Sequence, residues 1–184
     1  MRSVTSEADL PTTSPENAAV SGVEPADTPL DTVVRGPEAS AMAEQKLYFD
    51  DVSEGDEAPA VSHELTRTDL VQYAGASGDF NPMHHDEVKA QAAGLPSVFG
   101  HGMFSAGLLA KALTDYVGIG NLRSYRVRFT KQTWPGEVLT SRVVVSDKRK
   151  EDGANLVDLE CALANGDGEV KVSGEATAEL ASRS

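Results

Sequence analysis

The segment Ser77–Glu87, SGDFNPMHHDE, holds the residue types in this sequence that are most capable of chemistry. It combines an aspartate, an Asn-Pro turn, two adjacent histidines and two further carboxylates. Three interpretations suit such residues: a metal centre, a general acid–base pair, or a polar turn with no chemical role.

The spacing argues against a metal centre. His84, His85 and Asp86 are consecutive, so in extended backbone their side chains diverge rather than converge on one ion. Catalytic zinc sites use three protein ligands, commonly including two histidines one helical turn apart. His63 and His101 would join the cluster only if the fold brought them near. We therefore predict no metal.

Asp79 and His84 are the candidates for acid–base catalysis. The Asn81-Pro82 turn between them would hold their relative position at low entropic cost. An imidazole can take a proton from water near neutral pH, and a carboxyl in a partly apolar pocket can donate one. From the residues alone the polar-turn interpretation is favoured, because Asx-Pro turns are common and Asp79 could simply accept from nearby N–H groups.

Helices are predicted on both sides of this loop. LTRTDLVQYAGASG is typical of a helix of about ten residues that ends at Ser77-Gly78, and a short helical segment is predicted around DEVKAQAAG. Residues 102–117 form the most apolar helix, with almost no polar face, so it should be buried. Gly102 would begin this helix, where N–H groups lack intrahelical partners and a glycine permits close approach by a ligand.

After residue 120 the apolar period changes from 3.6 to 2, which predicts four half-buried strands. A short strand and turn are also predicted in LYFDDVSEGDEA, with hairpin tips at Lys148–Lys150 and Asn165-Gly166. The expected fold class is α+β: an antiparallel sheet curled around one long apolar helix. The inward residues should be Tyr125, Val127 and Phe129; Leu139, Ser141, Val143 and Val145; Val157, Leu159, Cys161 and Leu163; and Val170, Val172, Gly174, Ala176 and Ala178.

Composition excludes several classes of protein. A net charge of −13 over 184 residues argues against non-specific nucleic-acid binding. The single cysteine, Cys161, allows no internal disulfide, and no apolar run approaches the length of a membrane helix. The chain has no Gly-rich phosphate loop, dinucleotide fingerprint or nucleophile elbow, so we predict no cofactor. A cytoplasmic protein is expected.

The chain divides by composition into a leader and a domain. Residues 1–45 are rich in Pro, Ser, Thr, Ala and acids without helix or strand period, which predicts a disordered acidic leader. Residues 46–184 form the single predicted domain. Met42 begins a sequence typical of a natural start, so we hypothesise that translation starts there. Peptides from upstream of Met42 in the native protein's mass spectrum would contradict this.

Two stretches carry a resemblance to a known family: YAGASGDFNPMHHDEVKAQAAGLPSVFGHGM and VRFTKQTWPGEVLT. They resemble the MaoC-like dehydratase family of (R)-specific enoyl-thioester hydratases, which have the hotdog fold, over about residues 47–180. The resemblance implies that Asp79 and His84 are the catalytic pair, that Asn81 orients them and that the Gly102 N–H stabilises an oxyanion. His101 is not assigned a catalytic role.

The implied reaction interconverts trans-2-enoyl and (3R)-hydroxyacyl thioesters of coenzyme A or an acyl-carrier protein. The family also implies a homodimer, or a heterodimer with another hotdog subunit. Two alternatives remain, a hotdog thioesterase and an acyl-thioester-binding subunit of a heteromeric complex. The Asp-x-Asn-Pro-x-His loop disfavours the first, and the presence of both Asp79 and His84 disfavours the second.

Overall fold

The computed structural model describes residues 46–183. The leader predicted for residues 1–45, including the proposed start at Met42, lies outside the described residues. Among residues 46–183, none of the helices combines the length and the apolar character needed to cross a bilayer.

Helix α1 (Arg67–Ser77) precedes the Asp79 loop and lies where the sequence predicted a helix. The Thr66 hydroxyl accepts from the Asp69 N–H, and the Asp69 carboxylate accepts from the Thr66 N–H at 2.7 Å, which completes a capping box. Gly78, at φ 76°, ends the helix in a left-handed conformation that a side chain would strain. The chain therefore turns sharply from α1 into the loop.

The start of the described chain differs from the prediction. Phe49–Asp51 is a 3₁₀ helix rather than a strand. The buried Phe49 donates its N–H to Ala181 O at 2.9 Å, and the Asp51 carboxylate accepts from the Tyr48 N–H. These contacts, one with the far end of the chain and one local, satisfy the backbone N–H groups of Phe49 and Tyr48 without a strand partner.

Helix α2 (Glu87–Ala92) is the short helix predicted after the loop, and helix α3 (Gly102–Val117) has the predicted bounds. The prediction that α3 is buried holds for one side only. Leu109 and Leu113 are fully buried against the sheet, whereas Met103 on another side is 62% exposed. A five-stranded sheet can cover only part of a helix surface, so the rest of α3 faces outward.

All strand pairs are antiparallel, and the strand order is β1-β3-β4-β5-β2. Strand β1 was not predicted, because three residues are too short to show a period of 2. Strand β1 pairs with β3 at one edge of the sheet, and the other four strands are the predicted ones. The bounds are β1 (Ser62–Glu64), β2 (Leu122–Phe129), β3 (Val138–Glu151), β4 (Ala154–Ala164) and β5 (Val170–Glu179).

The alternating pattern correctly predicted the core face of the central strands. Every predicted inward residue of β3 and β4 is buried, while Phe129 and Val170, at strand ends, are 49% and 40% exposed. The Asn165-Gly166 turn is confirmed between β4 and β5, but Lys148–Lys150 lies within β3. The tip of that hairpin is Asp152-Gly153, where both residues have positive φ, as a two-residue type I′ turn requires.

A buried lysine holds one end of the sheet together. Lys171 on β5 is 1% exposed, and its Nζ lies 2.7 Å from Glu137 Oε1 and 2.6 Å from Glu169 Oε2. Burial opposes the lysine's charge, but the hydrogen bonds to Glu137 and Glu169 outweigh it, so the pKa of Lys171 is raised. Burial likewise opposes ionisation of Glu137, and donors that include Lys171 and Asn165 lower its pKa.

Replacing Lys171 with Met should lower the free energy of unfolding by about 3 kcal/mol, because it leaves Glu137 without its buried partner. Lys131→Met is the matched control. Lys131 is exposed and lies 3.9 Å from Glu169, so its loss should cost less than about 1 kcal/mol. Urea unfolding of both variants measures the difference. Equal effects would contradict the assignment.

The same network predicts a pH dependence. Since the pKa of folded Glu137 is below its ordinary value of 4.5, its stabilising contribution is present above pH 4.5 and is lost as the pH falls through the folded value. Since the pKa of Lys171 is above 10.5, its contribution is present below pH 10.5 and is lost at higher pH. In Lys171→Met the unfolding free energy should therefore fall less than in wild type both at low pH and at high pH.

Candidate active site

The loop after α1 places Asp79 and His84 side by side. His84 ends a 3₁₀ turn, Pro82–His84, whose first N–H group is capped: the Asn81 side chain accepts from Met83 N at 3.1 Å. The Asn81 main-chain N–H in turn donates to Asp79 Oδ1 at 3.2 Å. Asn81 therefore contacts Asp79 through its backbone and supports His84 through its side chain, an arrangement suited to the predicted orienting role.

The hydrogen bond of His84 determines its tautomer. His84 is 7% exposed, and its Nδ1 lies 2.8 Å from Phe99 O. Because a carbonyl oxygen only accepts, Nδ1 carries the hydrogen, and in the neutral ring Nε2 carries the lone pair. Nε2 lies 3.8 Å from Asp79 Oδ2. The basic nitrogen of the buried imidazole thus faces the carboxylate.

The 3.8 Å separation suits a shared water better than a direct hydrogen bond. A carboxylate oxygen and an imidazole lone pair are both acceptors, so one water molecule could donate a hydrogen to each. The Asp79 side chain is 51% exposed, and nothing in residues 46–183 encloses it in the partly apolar pocket that the sequence suggested. The pair can therefore orient and deprotonate water.

His101, for which no catalytic role was predicted, completes this cluster. Its Nε2 lies 3.1 Å from the Asp79 carbonyl oxygen, and its ring stacks on that of His84 at a centroid distance of 3.8 Å. The pKa of His101 is lowered, and the largest cause is its burial. In the sequence, the position of His101 immediately before Gly102 could have indicated that its side chain lies near the site.

The fold also brings together three residue types that bind metals. One ligand-type atom from each of Asp79, His84 and His101 lies within 4.8 Å of the others. The divergence expected of the consecutive residues 84–86 therefore does not exclude a metal at these three. However, the two rings are stacked at 29°, which directs their nitrogens side by side rather than towards one point. His84 Nδ1 and His101 Nε2 also already hydrogen-bond carbonyls. The absence of a metal stays a prediction.

The N-terminus of α3 supplies free hydrogen-bond donors beside the pair. Gly102 and Met103 are the first two residues of the helix, and within residues 46–183 their N–H groups have no acceptor. The helix dipole adds positive potential at this end. A Cβ on Gly102 would lie 3.3 Å from the Phe129 ring. The Gly102 N–H is thus a free donor at the positive end of the helix.

A cleft of about 240 Å³ opens beside Gly102. Its lining includes two buried residues with hydroxyl groups, Ser105 and Thr133, whose hydroxyl oxygens lie 3.4 Å apart. Gly100 allows the backbone to approach Thr133, because a Cβ there would collide with the Thr133 hydroxyl oxygen. The cleft is large enough for a small substrate group next to the free amide.

A larger groove, of about 520 Å³, lies on the outer face of the sheet. It is lined in part by Arg126 and Arg128 of β2 and also by Glu160 and Glu175. None of the candidate catalytic residues lines this groove. We therefore locate the site by the convergence of titratable groups and helix donors, not by the size of the depression.

Comparison with known proteins identifies the family. The chain is 30% identical over 138 residues to the (R)-specific enoyl-CoA hydratase of Rhodospirillum rubrum, covering 74% of this chain and 93% of the relative. It is 36% identical over 105 residues to 3-hydroxyacyl-thioester dehydratase Y of Mycobacterium tuberculosis, covering 55% of this chain and 35% of the relative. It thus spans nearly all of the first relative but about a third of the second.

The fold has solved counterparts. The unliganded R-hydratase PhaJ1 from Pseudomonas aeruginosa superposes with a TM-score of 0.68 at 24% identity, covering 75% of this chain and 88% of that one. This similarity confirms the predicted hotdog fold. The model of the MaoC like domain matches residues 52–163, which include both Asp79 and His84. The chain belongs to the MaoC-like dehydratase family.

Proposed function

We propose that this protein adds water to trans-2-enoyl thioesters to form (3R)-hydroxyacyl thioesters, and catalyses the reverse dehydration. The observation that carries the proposal is the basic Nε2 of His84 facing the Asp79 carboxyl across 3.8 Å, beside the free N–H groups that begin α3. The names of the hydratase and dehydratase relatives support the same reaction.

The proposed reaction begins with a water held between Asp79 and His84. His84 Nε2 takes one proton from this water as its oxygen forms a bond to Cβ of the enoyl group. The Cα–Cβ π electrons move towards the thioester carbonyl, giving an enolate. His84 passes the proton that it took to the Asp79 carboxylate, and Asp79 delivers that proton to Cα from the same face. One hydroxyl and one hydrogen have been added, and the pair regains its starting protonation state.

The enolate oxygen requires stabilisation at the moment it forms. In the proposed complex it accepts the N–H of Gly102, which is fixed in advance at the positive end of α3. The adjacent cleft receives the part of the thioester next to this oxygen. Whether coenzyme A or an acyl-carrier protein bears the acyl group can be measured by comparing crotonyl thioesters of both.

The direct test uses the purified full-length chain with crotonyl-CoA. We expect loss of the ultraviolet absorbance of the conjugated thioester without release of free thiol, and a 3R product by chiral analysis. Thiol release would instead indicate the thioesterase alternative. A series of enoyl-CoAs from short to long chain would define the acyl preference, and inactivity on every thioester would contradict the proposal for the isolated chain.

We further propose that the active form is a dimer, homomeric or with another hotdog subunit. Strands β1 and β2 form the two sheet edges, and Phe129 at the end of β2 is 49% exposed close to Gly102. Unpaired edges and an exposed aromatic ring are features that a second subunit would cover. Light scattering gives the mass in solution. A monomer that is inactive alone but active with a second hotdog subunit would favour the heteromer.

A further inference from the structure

The ring of His101 is among the most enclosed polar groups of the described chain. It is 1% exposed and packs between Tyr73, at a centroid distance of 5.0 Å, and His84, at 3.8 Å. Its single side-chain hydrogen bond within residues 46–183 joins Nε2 to the Asp79 carbonyl oxygen at 3.1 Å. Its other nitrogen, Nδ1, is buried without a partner there. A polar ring buried in this way requires an explanation.

The hydrogen-bond partner determines the state of the ring. The Asp79 carbonyl only accepts, so Nε2 carries the hydrogen and Nδ1 of the neutral ring carries the lone pair. Protonation would bury an unpaired N–H group as well as a charge. Burial is the largest cause of the lowered pKa of His101; His84 and His85 also lower it, and Asp79 opposes them. Tyr73 is the titratable group that faces the ring from α1.

Three parts of the proposed site meet at this one residue. His101 Nε2 donates to the main-chain carbonyl of Asp79, and the ring of His84 stacks on the face of the His101 ring. His101 is also the N-cap of α3, so its own backbone leads directly into the Gly102 amide. A displacement of this ring would therefore alter the position of the acid, the base and the oxyanion donor together.

We propose that His101 is a positioning residue: its neutral imidazole clamps the Asp79 main chain and lies against His84, so that both groups keep a fixed geometry relative to the Gly102 amide. This proposal rests on the hydratase function proposed above. Neutrality has a chemical use here, because His84 becomes positively charged when it takes a proton from water. A neutral π face next to a cation is favourable, whereas a second charge would be repulsive.

Two variants separate the contributions of the clamp. His101→Phe keeps an aromatic face and removes the N–H donor, whereas His101→Gln keeps an N–H donor at about the position of Nε2 and removes the ring. His85→Phe is the matched control, because His85 is exposed and its Nε2 bonds a neighbouring loop carbonyl, that of Phe80, at 3.1 Å. Circular dichroism and thermal melting establish that each variant is folded.

We expect His101→Phe to lower kcat for crotonyl-CoA hydration by about 30- to 100-fold with KM within about threefold, since a small misplacement of reacting groups costs this much. His101→Gln should retain more of kcat than His101→Phe, and His85→Phe should stay within about twofold. Unchanged kcat in folded His101→Phe, a loss confined to KM, or an equal loss in His85→Phe would overturn the proposal.

Nitrogen NMR of histidine-labelled wild-type protein gives a test that needs neither activity nor a folded variant. His101 should be the neutral Nε2–H tautomer at about pH 8, and it should become protonated only at a lower pH than an ordinary histidine. The Nδ1–H tautomer, or protonation at the ordinary value, would overturn the clamp even in an active enzyme. If wild type is inactive on every enoyl thioester, the proposed function fails, and the NMR result alone decides whether the clamp exists.

Discussion

Asp79→Asn and His84→Ala should each lower kcat for enoyl-CoA hydration by several hundred-fold or more while the chain stays folded, a size typical of removing a general acid or base. Asparagine keeps the shape of Asp79 but presents an amide that can donate to His84 Nε2, 3.8 Å away in the present structure, and thereby replace the water. His84→Ala removes the imidazole whose basic lone pair faces Asp79 across this gap.

The control for these variants is His85→Ala. His85 is adjacent to His84 in the chain and is exposed, and its Nε2 bonds the Phe80 carbonyl oxygen. The variant therefore removes a histidine from the same loop without removing the group that faces Asp79. Its activity should remain within about threefold of wild type. Near-normal crotonyl-CoA hydration by either Asp79→Asn or His84→Ala would contradict the assignment, and steady-state rates together with thermal melting of all three proteins measure it.

Gly102→Pro should lower kcat by about 100- to 1000-fold, the usual cost of deleting one oxyanion donor. Proline removes the N–H group but suits the first position of a helix. The preceding residue, His101, already has φ −60° and ψ 131°, the extended conformation that a following proline requires. The substitution therefore tests the hydrogen bond with little disturbance of the helix.

Gly102→Ala is the matched control, because it adds the same Cβ and keeps the N–H group. That Cβ would lie 3.3 Å from the ring of Phe129, which is half exposed and can move by a few tenths of an ångström. The loss of kcat should stay below about tenfold. Equal losses in the two variants would attribute the effect to space rather than to the amide, and would remove Gly102 from the oxyanion site.

Local interactions account for the parts of the fold that the sequence predicted. The Thr66 cap and Gly78 bound α1, and the alternation of apolar residues in β3 and β4 identified the face that is buried. These signals are carried by neighbouring residues, so they can be read without knowing the fold. The Asp152-Gly153 turn has an equally local signal, but the run of three basic residues before it led to a wrong prediction of the tip.

The same locality explains the errors. Strand β1 has three residues, and its pairing with β3 lies about 75 positions away, where no local period can reveal it. The Phe49–Asp51 turn depends on the contact of Phe49 with the far end of the chain. The exposure of Met103 depends on how much of α3 the sheet can cover. Each is a consequence of long-range packing.

The residues of the loop that could do chemistry were evident from their types and spacing, because a short rigid turn keeps Asp79 and His84 close together. That His101 joins them and that Phe99 sets the tautomer of His84 follows from tertiary contacts, because both contacts span more than a dozen residues. The directions of a lone pair and an N–H group depend on such distant partners.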